Sequence, residues 1–245
     1  MAAKRIICII AAILLAACTE LPPTATVSFN IGGVRSGTLT KSGDGLEAAL
    51  AATAPTQTPE LTIQSTSVSL RRYTAKPGES ITLPVGEYRV TATYTPSVAG
   101  DAAGSNIFRQ PSYSVDDVVV VTEDNDAYTV DAAYTCFALV IDYSESAKYR
   151  HYHGSYGWRD FSYFTGDTYG VAYIDFAAVW SATPYRITAV PKDAVGHEET
   201  QYSLVNEGTN GVLVEAGKWY LFSPDAVTTT SGALSVALPD WVQGN

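Results

Sequence analysis

The chain is short of cysteine, basic charge, histidine and long apolar stretches, and each shortage excludes a class of protein. Three cysteines in 245 residues are too few for a disulfide-stapled scaffold. Only 15 Lys and Arg stand against 25 Asp and Glu, so no basic surface exists to displace counterions from phosphates, and nucleic acid is excluded as a partner. The run Ile6 to Ala17 is twelve residues long, short of the roughly 20 that a membrane-spanning helix needs. Catalytic signatures are missing too. There is no Gly-x-Ser-x-Gly elbow, no His-Glu-x-x-His and no phosphate-binding glycine loop, and three histidines supply few general bases. The expectation is a non-enzyme without a cofactor; only scattered carboxylates leave a glycosidase open.

What is present begins with an export signal. Lys4 and Arg5 precede the apolar run, and Leu15-Ala16-Ala17-Cys18 closes it with small residues before a cysteine. This resembles a bacterial lipobox: residues 1–17 are read as a signal peptide and Cys18 as the lipidated N-terminus of the mature chain. Acyl chains contribute about 0.8 kcal/mol per buried CH₂, which makes such an anchor effectively permanent. Cys8 leaves with the signal, and Cys136 becomes the sole thiol, expected as a buried, unreactive group within a strand. Loss of Lys4 and Arg5 leaves 13 basic against 25 acidic residues, a net −12, so the body should stand clear of anionic headgroups.

Residues 18–24, with Pro22-Pro23, form a short stiff tether. Beyond it, Val-, Thr-, Ile- and Tyr-rich segments alternate with period two, about ten residues apart, between Gly, Pro, Asn and Asp turns. That is the pattern of antiparallel β-sandwiches, an all-β fold. Strands are read at residues 27–31, 61–63, 68–73, 80–83, 88–94, 118–122, 127–134, 137–143, 170–176, 185–190, 200–205, 219–223 and 234–238. One helix is read from Leu46 to Ala54, with Asp44 as N-cap, Glu47 completing a capping box and Pro55 as the stop. Residues 97–106 read as a surface loop, and Glu123-Asp124-Asn125-Asp126 as a hairpin turn rather than a calcium loop. A change of aromatic content divides the body into 25–136 and 137–245.

Leu15-Ala16-Ala17-Cys18, the segment Ile81-Thr82-Leu83-Pro84-Val85-Gly86-Glu87-Tyr88-Arg89-Val90-Thr91-Ala92, and Tyr134-Thr135-Cys136-Phe137-Ala138-Leu139-Val140-Ile141 together resemble the fimbrillin-like surface lipoproteins of Bacteroidales. The resemblance implies two tandem transthyretin-like or immunoglobulin-like β-sandwiches and lipid attachment to the outer membrane, with exposure at the cell surface. It also implies a role in adhesion or pilus assembly, with pilus or other surface proteins as partners. Some relatives polymerise by strand donation after a protease cuts behind an N-terminal arginine; here Arg35 is the candidate for processing, against a reading as a solvated loop residue.

The alternative reading is a glycan-binding lipoprotein. Ten of the 31 residues from Tyr143 to Tyr173 are aromatic, and Tyr149, Tyr152, Tyr156 and Trp158 are the candidate platform, against a reading in which these rings fill the second sandwich. His151 and His153 alternate on a predicted strand, but with no third ligand at recognisable spacing they read as solvated imidazoles and no metal is assigned.

Overall fold

The computed structural model describes residues 22–32, 44–55, 57–67, 71–96, 107–142, 149–156, 159–161, 164–165, 169–179, 183–191, 198–223 and 226–233. The strands are β1 (Thr24–Ile31), β2 (Leu61–Ser65), β3 (Arg72–Ala75), β4 (Ser80–Pro84), β5 (Gly86–Tyr94), β6 (Ile107–Phe108), β7 (Tyr113–Val121), β8 (Ala127–Val130), β9 (Ala132–Tyr134) and β10 (Cys136–Asp142). They continue with β11 (Tyr149–Tyr156), β12 (Arg159–Phe161), β13 (Phe164–Thr165), β14 (Tyr169–Asp175), β15 (Thr183–Pro191), β16 (Glu198–Val205), β17 (Val212–Leu213), β18 (Lys218–Ser223) and β19 (Ala226–Ala233). The single α-helix described, α1, spans Asp44–Ala51. The all-β expectation is met. No helix among the described residues is long and apolar enough to cross a membrane.

Four sheets result. The first is β4-β1-β8, the second β3-β2-β5-β7-β9, the third β13-β14-β10-β18-β19 with β6 also on β14, and the fourth β12-β11-β15-β16-β17. The chain turns between β4 and β5 within Leu83-Pro84-Val85-Gly86-Glu87. Gly86 opens β5 at φ +156°, a value that L side chains rarely adopt. From there Tyr88, Val90, Ala92 and Tyr94 are buried while Glu87, Arg89 and Thr93 face water, the period-two pattern of a strand with one wet face.

The segment read as one strand from 127 to 134 is two. The chain bends at Asp131, whose N–H donates to the Asp117 carboxylate at 3.4 Å; β8 joins the first sheet and β9 the second. A sandwich corner of this kind is made by a strand that switches sheets. The acidic turn at 123–126 consequently links strands of different sheets, β7 and β8, instead of closing a hairpin.

Two apolar cores form, and β10 belongs to both. Cys136, Ala138 and Val140 face the first core, together with Val171, Tyr173 and Trp219. Phe137, Leu139 and Ile141 face the second, with Ala172, Ile174, Tyr220 and Phe222. A strand buried on both faces reads as a continuous apolar run rather than an alternation, which accounts for Phe137-Ala138-Leu139-Val140-Ile141. Its neighbour β18 runs parallel to it, Ala138 opposite Trp219. Entry into β18 is set by Gly217, at φ +74°, where a non-glycine residue would be strained; its N–H donates to the Cys136 carbonyl at 2.8 Å.

Helix α1 seals the first core against the third sheet. Leu46 and Leu50 are buried there, and Thr53, just past the helix, shares a 2.5 Å hydrogen bond with the Tyr173 hydroxyl. The helix ends three residues earlier than Ala54, because the Thr53 hydroxyl takes the Leu50 carbonyl at 2.6 Å and closes the last turn. Gln110 donates to the Ala54 carbonyl at 2.9 Å and accepts from the Tyr94 hydroxyl at 2.5 Å.

Candidate functional site

Strand β1 has an unusual seat. Its first half pairs antiparallel with β4, from Thr24 opposite Pro84 to Ser28 opposite Ser80. Its second half pairs parallel with β8, from Ser28 opposite Ala127 to Ile31 opposite Val130. The first strand of the body is therefore the central strand of its sheet, bound to one neighbour at each end and to both at Ser28. Backbone bonds extend the seam: Val85 N–H donates to the Pro23 carbonyl at 2.8 Å, Gly78 N–H to Phe29 at 2.9 Å, and Gly32 N–H to Val130 at 2.7 Å.

Alternation puts Ala25, Val27, Phe29 and Ile31 into the first core. Phe29 stacks on Tyr128 with centroids 5.6 Å apart. On the outer face Thr26 and Thr82 share a 3.0 Å hydrogen bond. The seam is apolar within and lightly polar outside, so its hold on β1 comes from burial and ladder bonds rather than ion pairs.

Where β1 begins, a cleft of about 350 Å³ opens between the tether residues Pro22 and Thr24, the 84–87 turn and the start of β3. Tyr73 and Tyr88 line it, edge to face with centroids 6.3 Å apart. The Tyr88 hydroxyl donates to the Pro84 carbonyl at 2.8 Å, which fixes its ring. Burial raises the Tyr88 phenol above its ordinary pKa, Tyr73 adds to this, and Arg71 opposes it. Ser65, Ser67, Arg71 and Glu87 supply the polar lining. Glu87 accepts from the Thr66 hydroxyl at 2.7 Å. The sequence marked the 84–88 segment as a family feature but not as part of a cleft: Tyr73 and Tyr88 are 15 positions apart on different strands, and only strand pairing joins them.

The thiol behaves as its strand position predicts. Cys136 is fully buried; its sulfur accepts from the Ser112 N–H at 3.2 Å. Burial pushes its pKa from 9.0 up to about 12, and Tyr220 is pushed from 10.0 up to about 12 for the same reason. Both folded values exceed the unfolded ones, so the stability they contribute is complete below pH 9 and is lost as pH rises through about 12. Between pH 9 and 10, where the unfolded thiol titrates before the tyrosines, urea unfolding should lose up to about 1.4 kcal/mol per pH unit. Cys136→Ala should be markedly shallower in that window; equal slopes would refute the assignment to the thiol.

The other sequence candidates fall differently. Cys18, Arg35 and Trp158 lie outside the described residues, as do the loop at 97–106 and the strand read at 234–238. Tyr149 and Tyr152 belong to β11, which pairs with β12 and β15, but their side chains lie outside the described residues. Tyr156 is only 8% exposed; it packs into the second core with Tyr185 and Tyr202, and its hydroxyl donates to the Ala178 carbonyl at 3.3 Å. That ring is turned inward rather than toward solvent.

No protein-family model and no curated protein matches the sequence. Solved structures do match. The tip fimbrial protein Mfa3 of Porphyromonas gingivalis superposes with a TM-score of 0.51 at 8% identity, covering 87% of this chain and 100% of that one. A candidate cell adhesion protein of Bacteroides uniformis gives 0.48 at 11% identity, with 87% and 99% coverage. A fimbrial assembly protein of Parabacteroides distasonis gives 0.39 at 10% identity, with 83% and 91% coverage. These neighbours are fimbrial and adhesion proteins of Bacteroidales, and the chain shares the fold of the P. gingivalis tip fimbrial protein, the level at which the fimbrillin-like resemblance of its sequence is matched.

Proposed function

We propose that this chain is a surface protein of the fimbrial and adhesive kind, lipid-anchored at Cys18 in the outer membrane, in which β1 is a replaceable strand and Arg35 the point of cleavage that frees it. The observation that carries the reading is the seat of β1. It is the first strand of the body, it is central in its sheet, and Arg35 follows its last residue by four positions.

A cut after Arg35 would leave β4 and β8 flanking an open groove. The groove would lose Val27, Phe29 and Ile31, each of which contributes about 1.5–3 kcal/mol on burial. Together that approaches the whole stability of a typical domain, about 5–15 kcal/mol. A cut chain therefore needs another strand, and a pilus or surface protein is the partner that would supply it. The same cut severs the body from Cys18, so anchored and assembled forms are alternatives for any one copy.

The test uses the full-length protein on membranes, treated with an arginine-specific protease. The expected outcome is a new N-terminus at Ser36, release from the membrane, and a ladder of multimers on mild-detergent gels. Arg35→Ala should stay anchored and monomeric; assembly equal to wild type would refute the role of Arg35. Separately, Cys18→Ala should release the uncut chain, and retention would contradict the lipid anchor.

A further inference from the structure

The cleft at the start of β1 holds a chemical asymmetry that strand replacement does not use. Among the described arginines, Arg89 grips Asp116 through two hydrogen bonds of 2.6 and 2.5 Å and Arg72 reaches Gln64. Arg71 is exposed at the cleft; its backbone carbonyl accepts from the Ser65 N–H at 2.9 Å, while its guanidinium makes no hydrogen bond or ion pair among the described residues. In a chain with a formal charge of −10, a cation left without a carboxylate is available to an external anion.

Glu87 decides what kind of anion fits. Glu87 lines the same cleft, and its carboxylate accepts from Thr66 at Oε1. A compact anion such as phosphate would meet Arg71 and Glu87 together, and repulsion from Glu87 would offset the attraction. A ligand with its negative charge at one end and hydroxyl donors at the other satisfies both. Tyr73, half-buried and braced by the fixed ring of Tyr88, supplies the flat apolar face on which a pyranose ring packs. Ser67 adds a hydroxyl at the rim. The volume, about 350 Å³, lies at the small end of ligand pockets, which run from about 300 to 1,000 Å³.

We propose that this cleft binds a carboxylated sugar, with Arg71 on its carboxylate, Tyr73 under its ring, and Glu87 and Ser67 on its hydroxyls. The proposal is independent of cleavage at Arg35, since an uncut chain keeps every one of these groups.

The experiment titrates full-length protein in detergent with N-acetylneuraminic acid, glucuronic acid, glucose and inorganic phosphate, read by saturation-transfer NMR and calorimetry. At least one acidic sugar should bind, with glucose and phosphate about tenfold weaker or more. Arg71→Gln and Tyr73→Ala should each weaken that sugar about tenfold at an unchanged melting temperature for the exposed Arg71 variant, while Glu87→Gln should weaken the sugar and strengthen phosphate. The proposal is overturned if neither acidic sugar binds at 50 mM (a ceiling of roughly −2 kcal/mol), if glucose or phosphate binds equally, or if Arg71→Gln has no effect. Tighter binding of a short peptide through its free C-terminal carboxylate would also overturn it.

Discussion

Phe29→Ala is expected to cost the chain about 3–5 kcal/mol of unfolding free energy. The ring is fully buried, stacked on Tyr128, and it sits next to Ser28, the position where β1 pairs with both β4 and β8. Truncation leaves a void between two sheets that the ladder bonds of β1 prevent from collapsing. Thr26→Ala, three residues away on the wet face, removes one exposed hydroxyl bond and should stay within about 0.5 kcal/mol. Urea titration of both variants checks the contrast. Equal and small effects would mean that β1 contributes little to the core, and replacement of that strand would then need no donor.

The second large effect is expected at β10. Leu139→Ala should cost about 2–5 kcal/mol, and its neighbour Val140→Ala should destabilise the chain through the opposite face. Leu139 belongs to the second core and Val140 to the first, yet both hang from one strand whose antiparallel ladder with β14 runs through seven residue pairs. A cavity on either face loosens the sheet that supports the other. Calorimetry should accordingly show a single transition that moves as one unit in both variants; two transitions, only one of which shifts with each variant, would contradict the shared sheet. The short strand β6, from the first half of the chain, adds to the coupling by pairing with β14 through Phe108 and Ile107.

Local chemistry was readable from the chain, and long-range pairing was not. The turn from Leu83 to Gly86, the alternation of β5 and the continuous apolar run of β10 all follow from neighbouring residues, because turn geometry and pleat depend on them alone. The bend at Asp131 escaped because both halves of 127–134 alternate acceptably and only the opposing Asp117 shows where the strand turns away. The parallel seating of β1 on β8 and of β10 on β18 leaves no mark in local periodicity, since residues far apart supply the partners. Of the region rich in tyrosine, composition revealed abundance but not direction: Tyr156 proved to point inward. The cleft was invisible for the same reason as the parallel pairs, its tyrosines, arginine and glutamate being brought together by pairing of β2 with β3 and β5.

The position of β1 also sets an order of events. Ser28 bonds to Asp126, 98 residues further along, so at synthesis rates of about 5–20 residues per second the strand waits roughly 5–20 s for its partner to emerge. During that interval only the first half of β1 has a partner, β4; the half from Phe29 to Ile31 is an unpaired apolar ribbon, and contacts of such separation are slow to close even once the whole chain is available. The half of β1 that seats on β8 is thus exposed longest during biogenesis, and a holding factor or a strand from another copy would meet it before β8 does.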